Sequence, residues 1–231
     1  MRFRDRRAAG RALAMRLMQY ADQSDVVVLA LPRGGVPVGY EVALALHAPL
    51  DVFLVRKLGT PGQEELAMGA IASGGIRVLN PDVVEGLAIS ERVIDQIAAA
   101  EGLELARRAQ VYRDDRPATP VKDRTVILVD DGLATGATMR AALVALRQEQ
   151  PRRLVAAVPV APEATCWALG AIADEAVCLD TPEPFYGVGL WYDDFTPTSD
   201  EEVRALLRQS AEHGAAPPQH HGEPPEPHPT L

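Results

Sequence analysis

Lysine is almost missing from this chain. Two lysines, Lys57 and Lys122, stand against 21 arginines in 231 residues, so positive charge is carried almost wholly by planar guanidinium groups suited to bidentate contacts with carboxylates and phosphates. Acids still outnumber bases, and the net charge of -9 speaks against the broad basic face that nucleic acid requires. No apolar run approaches the roughly 18 residues of a membrane span. The two cysteines, Cys166 and Cys178, fit no metal-ligand spacing and read as buried thiols of a reducing cytoplasm. Histidine is scarce in the body of the chain: four of the five lie at or beyond His213, which leaves His47 as the histidine available to a catalytic triad. The early arginines (Arg2, Arg4, Arg6, Arg7, Arg11, Arg16) resemble a targeting peptide in composition. Asp5 and the lack of an early apolar run argue against one, and the spacing Ala9, Leu13, Leu17 predicts an ordinary first helix.

What is present concentrates in "VILVDDGLATGAT", residues 126–138. Val126 to Val129 form the all-apolar run of a strand covered on both faces, and ligands of open α/β sheets bind just past the carboxyl ends of such strands. Asp130 and Asp131 stand there. The following turn (Ala134, Thr135, Gly136, Ala137, Thr138) opens a helix whose stripe is Met139, Leu143 and Leu146. Backbone N–H groups converging at a helix start, with the helix dipole behind them, make a phosphate site; the Thr135 and Thr138 hydroxyls can donate to it, and Gly136 lets the backbone come close. Two acids beside a phosphate need other partners, and sugar hydroxyls with a divalent cation answer. The pattern describes a ribose 5-phosphate. It lacks the Gly-Lys-Ser/Thr of a P-loop, and G-x-G-x-x-G occurs nowhere.

Upstream, "VVVLALPRGGVPVGYEVALAL" predicts a strand over residues 26–31, a tight turn at Arg33, Gly34 and Gly35, and a helix over residues 36–46. This is a second candidate anion pocket, although an ordinary βα turn uses glycines in the same way. "DVFLVRKLG" reads as the next strand, with Arg56 and Lys57 at its carboxyl end as pyrophosphate contacts or as a solvated pair. Residues 58–120 exceed any simple connection and predict a glycine-rich mobile lid, two short strands at residues 70–73 and 76–79, and a helix capped by Ser90 and running to Tyr112. That helix carries Val93, Ile97, Leu105 and Ala109 on its apolar side and packs on the core or a second subunit. Residues 181–197 gather Phe185, Tyr186, Trp191, Tyr192 and Phe195 in a chain that is 5% aromatic. Phe185 and Tyr186 are the candidates for stacking on a planar acceptor, and Trp191 for a structural role. Residues 213–231, rich in proline and histidine, read as a disordered tail; His220 and His221 there could bind a metal ion but fit a solvated tail better.

The 126–138 segment resembles the phosphoribosyl pyrophosphate (PRPP) motif of type I phosphoribosyltransferases, in the version found in adenine enzymes. The resemblance implies a single three-layer α/β domain over residues 1–212 with a mainly parallel sheet, a lid and a C-terminal hood. It implies Mg²⁺-dependent transfer of ribose 5-phosphate from PRPP to a nucleobase-like nitrogen, with Asp130 and Asp131 on the ribose 2- and 3-hydroxyls and indirectly on the PRPP-bound metal. Residues 134–138 would hold the 5-phosphate, and "RGG" resembles the pyrophosphate loop of xanthine-guanine members. Hypoxanthine-guanine relatives have an aspartate where Ala134 stands. Adenine-type enzymes use a lid glutamate, a role open to Glu64 or Glu65. A cytoplasmic small-molecule enzyme follows, compatible with a homodimer and without nucleic-acid or membrane partners. The alternative is a non-catalytic sensor of PRPP or nucleotides, although no helix-turn-helix segment is evident.

Overall fold

The computed structural model describes residues 1–114 and 116–214, apart from the side chain of Glu65. The expected tail from Ala215 onward, with His220 and His221, lies outside the described residues. The chain begins with α1 (Arg6–Met15), where the Asp5 carboxylate accepts the Ala8 N–H at 2.7 Å as an N-cap. Next come β1 (Val26–Ala30), α2 (Gly35–Leu46) and β2 (Leu50–Val52). The insertion holds β3 (Val55–Thr60), β4 (Gln63–Ala72), β5 (Arg77–Leu79), α3 (Pro81–Gly86) and α4 (Glu91–Arg113). The second half runs β6 (Thr125–Val129), α5 (Ala137–Gln148), β7 (Arg153–Val160), α6 (Glu163–Leu169), β8 (Glu175–Asp180) and α7 (Asp200–Gly214).

Five strands form one parallel sheet in the order β2-β1-β6-β7-β8. Every residue of β1 and β6 is buried, because helices cover both faces. Val26, Val28, Ala30, Ile127 and Val129 pack with α1, α2, α4 and α7. The alternate residues Val27, Leu29, Val126 and Leu128 pack with Met139, Leu143 and Leu146 of α5. The sheet is thus the middle of three layers, the arrangement expected from uninterrupted apolar runs.

The insertion departs from expectation. "DVFLVRKLG" is two strands: β2 ends at Val52, Leu54 N–H turns to the Ser73 hydroxyl at 3.0 Å, and β3 joins a separate antiparallel sheet, β3-β4-β5. An unbroken apolar run carries no sign of such a change of sheet. The glycine-rich segment is the β3–β4 hairpin, turning at Gly62 with φ +75°, and this sheet packs on α4 and α5. The strand expected at residues 70–73 is the end of ten-residue β4, while β5 lies within the expected 76–79. The buried stripe of α4 is Ile94, Ala98, Leu105 and Tyr112; Ile97 and Ala109 pack partly against the core, and Val93 is half-buried. Helix α7, which periodicity had not marked, buries Val203, Leu206 and Leu207 and runs to Gly214.

Cys166 and Cys178 are not thiols but a disulfide. The chain leaves β7 into α6 and returns as β8 beside β7, which brings the two Cα atoms to 6.3 Å. A separation of 12 residues says nothing about this until the βαβ crossover is closed. Protein purified without reductant is expected to titrate no free thiol. Replacing both cysteines by serine is expected to lower unfolding free energy by about 3 kcal/mol, the loop-closure value for a loop of roughly this size, read from urea denaturation midpoints.

Candidate functional site

From β1 the chain steps outward to β2, whereas β6, β7 and β8 step outward on the other side. The carboxyl ends of β1 and β6 therefore face a topological switch point, the crevice where open α/β sheets bind ligands. Leu31 N–H donates to the Val129 carbonyl at 2.9 Å, so the "PRGG" turn and the acid pair start side by side. Their packing explains the glycines. A Cβ on Gly34 would lie 2.1 Å from Asp131 Oδ2, and one on Gly35 would lie 2.8 Å from the Val129 oxygen and 2.9 Å from Asp130 Cα. The two segments interlock because neither glycine has a side chain.

Asp131 is held from three sides. Arg6 Nε donates to its Oδ2 at 2.7 Å, Arg6 Nη1 donates to the Thr196 carbonyl at 2.7 Å, and the guanidinium lies 3.9 Å from the centroid of the Phe195 ring. The Tyr192 hydroxyl donates to the Asp131 carbonyl at 2.5 Å. Asp130 Oδ1 accepts the Asp131 N–H at 2.8 Å. Burial, and then the Asp131 charge, push the Asp130 carboxyl well above the usual carboxylate range. Burial also raises Asp131, opposed by Arg6, and burial followed by the Asp131 charge raises Tyr192.

For Asp130 the folded carboxyl holds its proton to higher pH than the unfolded one. Its effect on stability is therefore most favourable when protonated and worsens as pH rises from the unfolded value through the folded one. Asp130→Asn is expected to be the more stable protein at pH 8, with the gap over the wild type smaller at pH 5. Denaturation midpoints of both proteins at the two pH values test this; an equal gap at both would remove the burial argument.

On the other side of Asp131 the chain crosses Gly132 and Leu133 to Gly136, φ +71°, which starts α5 without a side-chain cap. The nearest substitute is the Thr135 hydroxyl, 3.4 Å from the Ala137 N–H. Ala134, Thr135, Ala137 and Thr138 are exposed, and Gly136 is buried against α6. There Thr165 donates its hydroxyl to the Ala134 carbonyl at 3.0 Å, and its methyl would sit 2.8 Å from a Cβ at Gly136. The disulfide thus ties to β8 a helix that buttresses the turn.

The remaining candidates separate. Arg56 and Lys57 are adjacent on β3, so pleating sends them to opposite faces. Arg56 lines a cavity of about 120 Å³ with Arg33. Lys57 lines a different, mainly apolar cleft of about 420 Å³ between the small sheet and α5, beside Thr138 and Arg140. Phe185 stacks on Trp191 with ring centroids 6.3 Å apart, and Tyr186 is 82% exposed. Trp191, the ring expected to be structural, is the one Phe185 leans on. Glu64 is exposed at the start of β4, and Glu65 lies outside the described side chains. Three residues at the site went unrecognised in the sequence. Arg6 was one arginine among six, Thr165 stands in no motif, and Tyr192 was grouped with the hood without a role.

Residues 4–166 match the family model described as the phosphoribosyl transferase domain. The chain belongs to that family. Its fold, a parallel five-stranded sheet between helical layers, is that of the type I phosphoribosyltransferases. Two Mycobacterium tuberculosis proteins, named "Putative phosphoribosyl transferase MT0597" and "Putative phosphoribosyl transferase Rv0571c", are each 49% identical to it over 217 residues, covering 92% of this chain and 49% of theirs. The chain spans about half the length of these curated relatives. The crystal structure of TT1426 from Thermus thermophilus superposes with a TM-score of 0.80 at 47% identity, covering 90% of this chain and 99% of that one.

Among the described residues no group of three or more His, Cys, Asp or Glu side chains could hold a metal ion, and one Asp131 oxygen already receives Arg6. Asp130 and Asp131 are two carboxylates, the number a Mg²⁺ that kept its waters and substrate phosphates would need from the protein. Among the described residues, no helix is long and apolar enough to cross a membrane.

Proposed function

We propose that this domain transfers ribose 5-phosphate from PRPP to a nucleobase-like nitrogen and releases pyrophosphate. The observation that carries the proposal is the interlock of the "RGG" turn with Asp130 and Asp131 at the β1/β6 crevice, next to an uncapped helix start. The backbone of residues 134–138 binds the 5-phosphate, the two carboxylates bind the ribose hydroxyls, and Arg33, Gly34, Gly35 and Arg56 bind the pyrophosphate. Lys57 lines the separate cleft beside α5 and is not assigned to the pyrophosphate. Phe185 is committed to Trp191, so Tyr186 is the ring that stacks on the acceptor.

The bond from the anomeric carbon to pyrophosphate breaks with both electrons leaving on oxygen. The nitrogen then forms the new bond to that carbon and gives up its proton to solvent water. Positive charge develops on the sugar, so preorganised carboxylates lower the barrier, and guanidinium groups stabilise the departing phosphates. Mg²⁺, bound through PRPP, would add charge neutralisation at the pyrophosphate. Arg6 keeps Asp131 oriented until a ribose hydroxyl shares its carboxylate.

The test is pyrophosphate release on incubation with PRPP, Mg²⁺ and a panel of bases and amines. Acceptor-dependent release supports the transferase. Tight PRPP binding without release under any condition would replace it by the sensor reading. A cytoplasmic setting belongs to this proposal and is in tension with the disulfide, since reducing compartments rarely keep one.

A further inference from the structure

The 120 Å³ cavity beside the "PRGG" turn has three arginines, Arg33, Arg56 and Arg108, and Tyr112 in an otherwise apolar wall (Leu31, Pro32, Phe53, Leu54, Val55 and Leu105), with no carboxylate. Arg33, Arg108 and Tyr112 also line an adjoining space of about 210 Å³, to which Arg107 and Asp200 contribute. Two of the four arginines come from α4, inside the insertion. Nothing in the motifs points to them.

Their present partners are replaceable. Glu104 serves both Arg107 and Arg108, accepting from Arg107 Nε at 2.8 Å and Nη2 at 3.0 Å and from Arg108 Nε at 2.8 Å. Exposed pairs three and four residues apart on a helix contribute little. Arg56 is paired with Glu101, and Arg33 stands 3.9 Å from Asp200. Three acids therefore serve four arginines, and one of them is shared. A guanidinium has five N–H donors, and the Arg108 bond to Glu104 uses the Nε one. Burial and the bond to Asp200 push the Tyr112 hydroxyl up to about 12, so it stays neutral and adds no negative charge to the wall.

We propose that Arg108, with Arg107 at the mouth, is a further ligand for the departing pyrophosphate, completing with Arg33 and Arg56 a guanidinium pocket past the ends of β1 and β2. This rests on the PRPP reading above. A polyanion entering the pocket replaces Glu104 as the partner of Arg107 and Arg108, so the insertion helix belongs to the site.

Calorimetric titrations of the full chain with magnesium pyrophosphate and, separately, with ribose 5-phosphate test it. Arg108→Ala is expected to weaken pyrophosphate roughly tenfold, the scale of one charge-assisted hydrogen bond. Arg92→Ala, an exposed arginine at the far end of the same helix, is expected to leave it unchanged. Glu104→Gln, which removes the resident carboxylate, is expected to tighten it several-fold, on the order of an exposed ion pair. Ribose 5-phosphate affinity stays constant in all three. Unaltered pyrophosphate affinity in Arg108→Ala, with ribose 5-phosphate still bound, overturns the Arg108 assignment and leaves the PRPP reading standing. Weakening of both ligands in that variant shows a structural effect and also overturns it. If the unmutated protein binds neither ligand, the PRPP reading falls and takes this proposal with it.

Discussion

Asp131→Asn is expected to lower turnover with PRPP by at least ~10², the scale of removing one preorganised electrostatic contact, while the protein stays folded. The neighbours of Asp131 explain why the two effects separate. Asparagine keeps an oxygen for Arg6 Nε, now 2.7 Å away, and leaves the backbone carbonyl that receives Tyr192 untouched. Removing a buried negative charge relieves the desolvation that raises the Asp131 carboxyl, but it also leaves Arg6 without its counter-charge. Arg6 retains the Thr196 carbonyl and the Phe195 ring, so these opposing terms leave a small net change in stability. The charge opposite the developing sugar cation has no such substitute. Single-turnover rates with saturating PRPP, beside a thermal melt, check both halves; wild-type rates would remove the acid pair from the mechanism.

Gly34→Ala is expected to damage both fold and site. The added methyl would occupy a point 2.1 Å from Asp131 Oδ2 and 2.7 Å from its carboxyl carbon. The carboxylate is pinned by Arg6 on one side and by its own backbone on the other, and cannot retreat without losing one of them. The cost is that of overpacking a tight contact, about 1–3 kcal/mol, together with a loss of PRPP affinity of at least roughly tenfold from the displaced carboxylate. A double-mutant cycle separates these effects. Gly34→Ala should cost little stability in an Asp131→Ala background, because the clash disappears, while activity stays lost in the double variant. If Gly34→Ala costs as much in the Asp131→Ala background as in the wild type, the contact between turn and carboxylate is not the cause.

Much of the frame was legible because its signals are local. Residues 126–138 announced a covered strand, an acid pair and a helix start in one uninterrupted stretch, and β6, Asp130, Asp131 and Gly136 are where that reading put them. Residues 26–46 announced β1 and α2 in the same way. Arg56 and Lys57 show where such reading stops. Their position in the chain was right, but the sheet they belong to was not, because an apolar run does not record that it changes hydrogen-bonding partners after Val52. The alternation of β3 then divided two residues that looked like one pair. The aromatic cluster of residues 185–195 shows the same limit: five rings were visible as a group, yet which one packs and which stays exposed depends on what Trp191 and Phe3 offer them.

By itself the sequence determined the covered strands and the two loops that end them, since apolar runs, glycine turns and helix starts act over a few residues. The tertiary structure decided which distant groups reach those loops. Arg6 meets Asp131 across 125 positions of chain, Cys166 finds Cys178 through a βαβ crossover, and α4 brings Arg108 beside Arg33. Contacts of that kind arise when layers close over a shared apolar core, and burial is blind to which polar side chains it carries along.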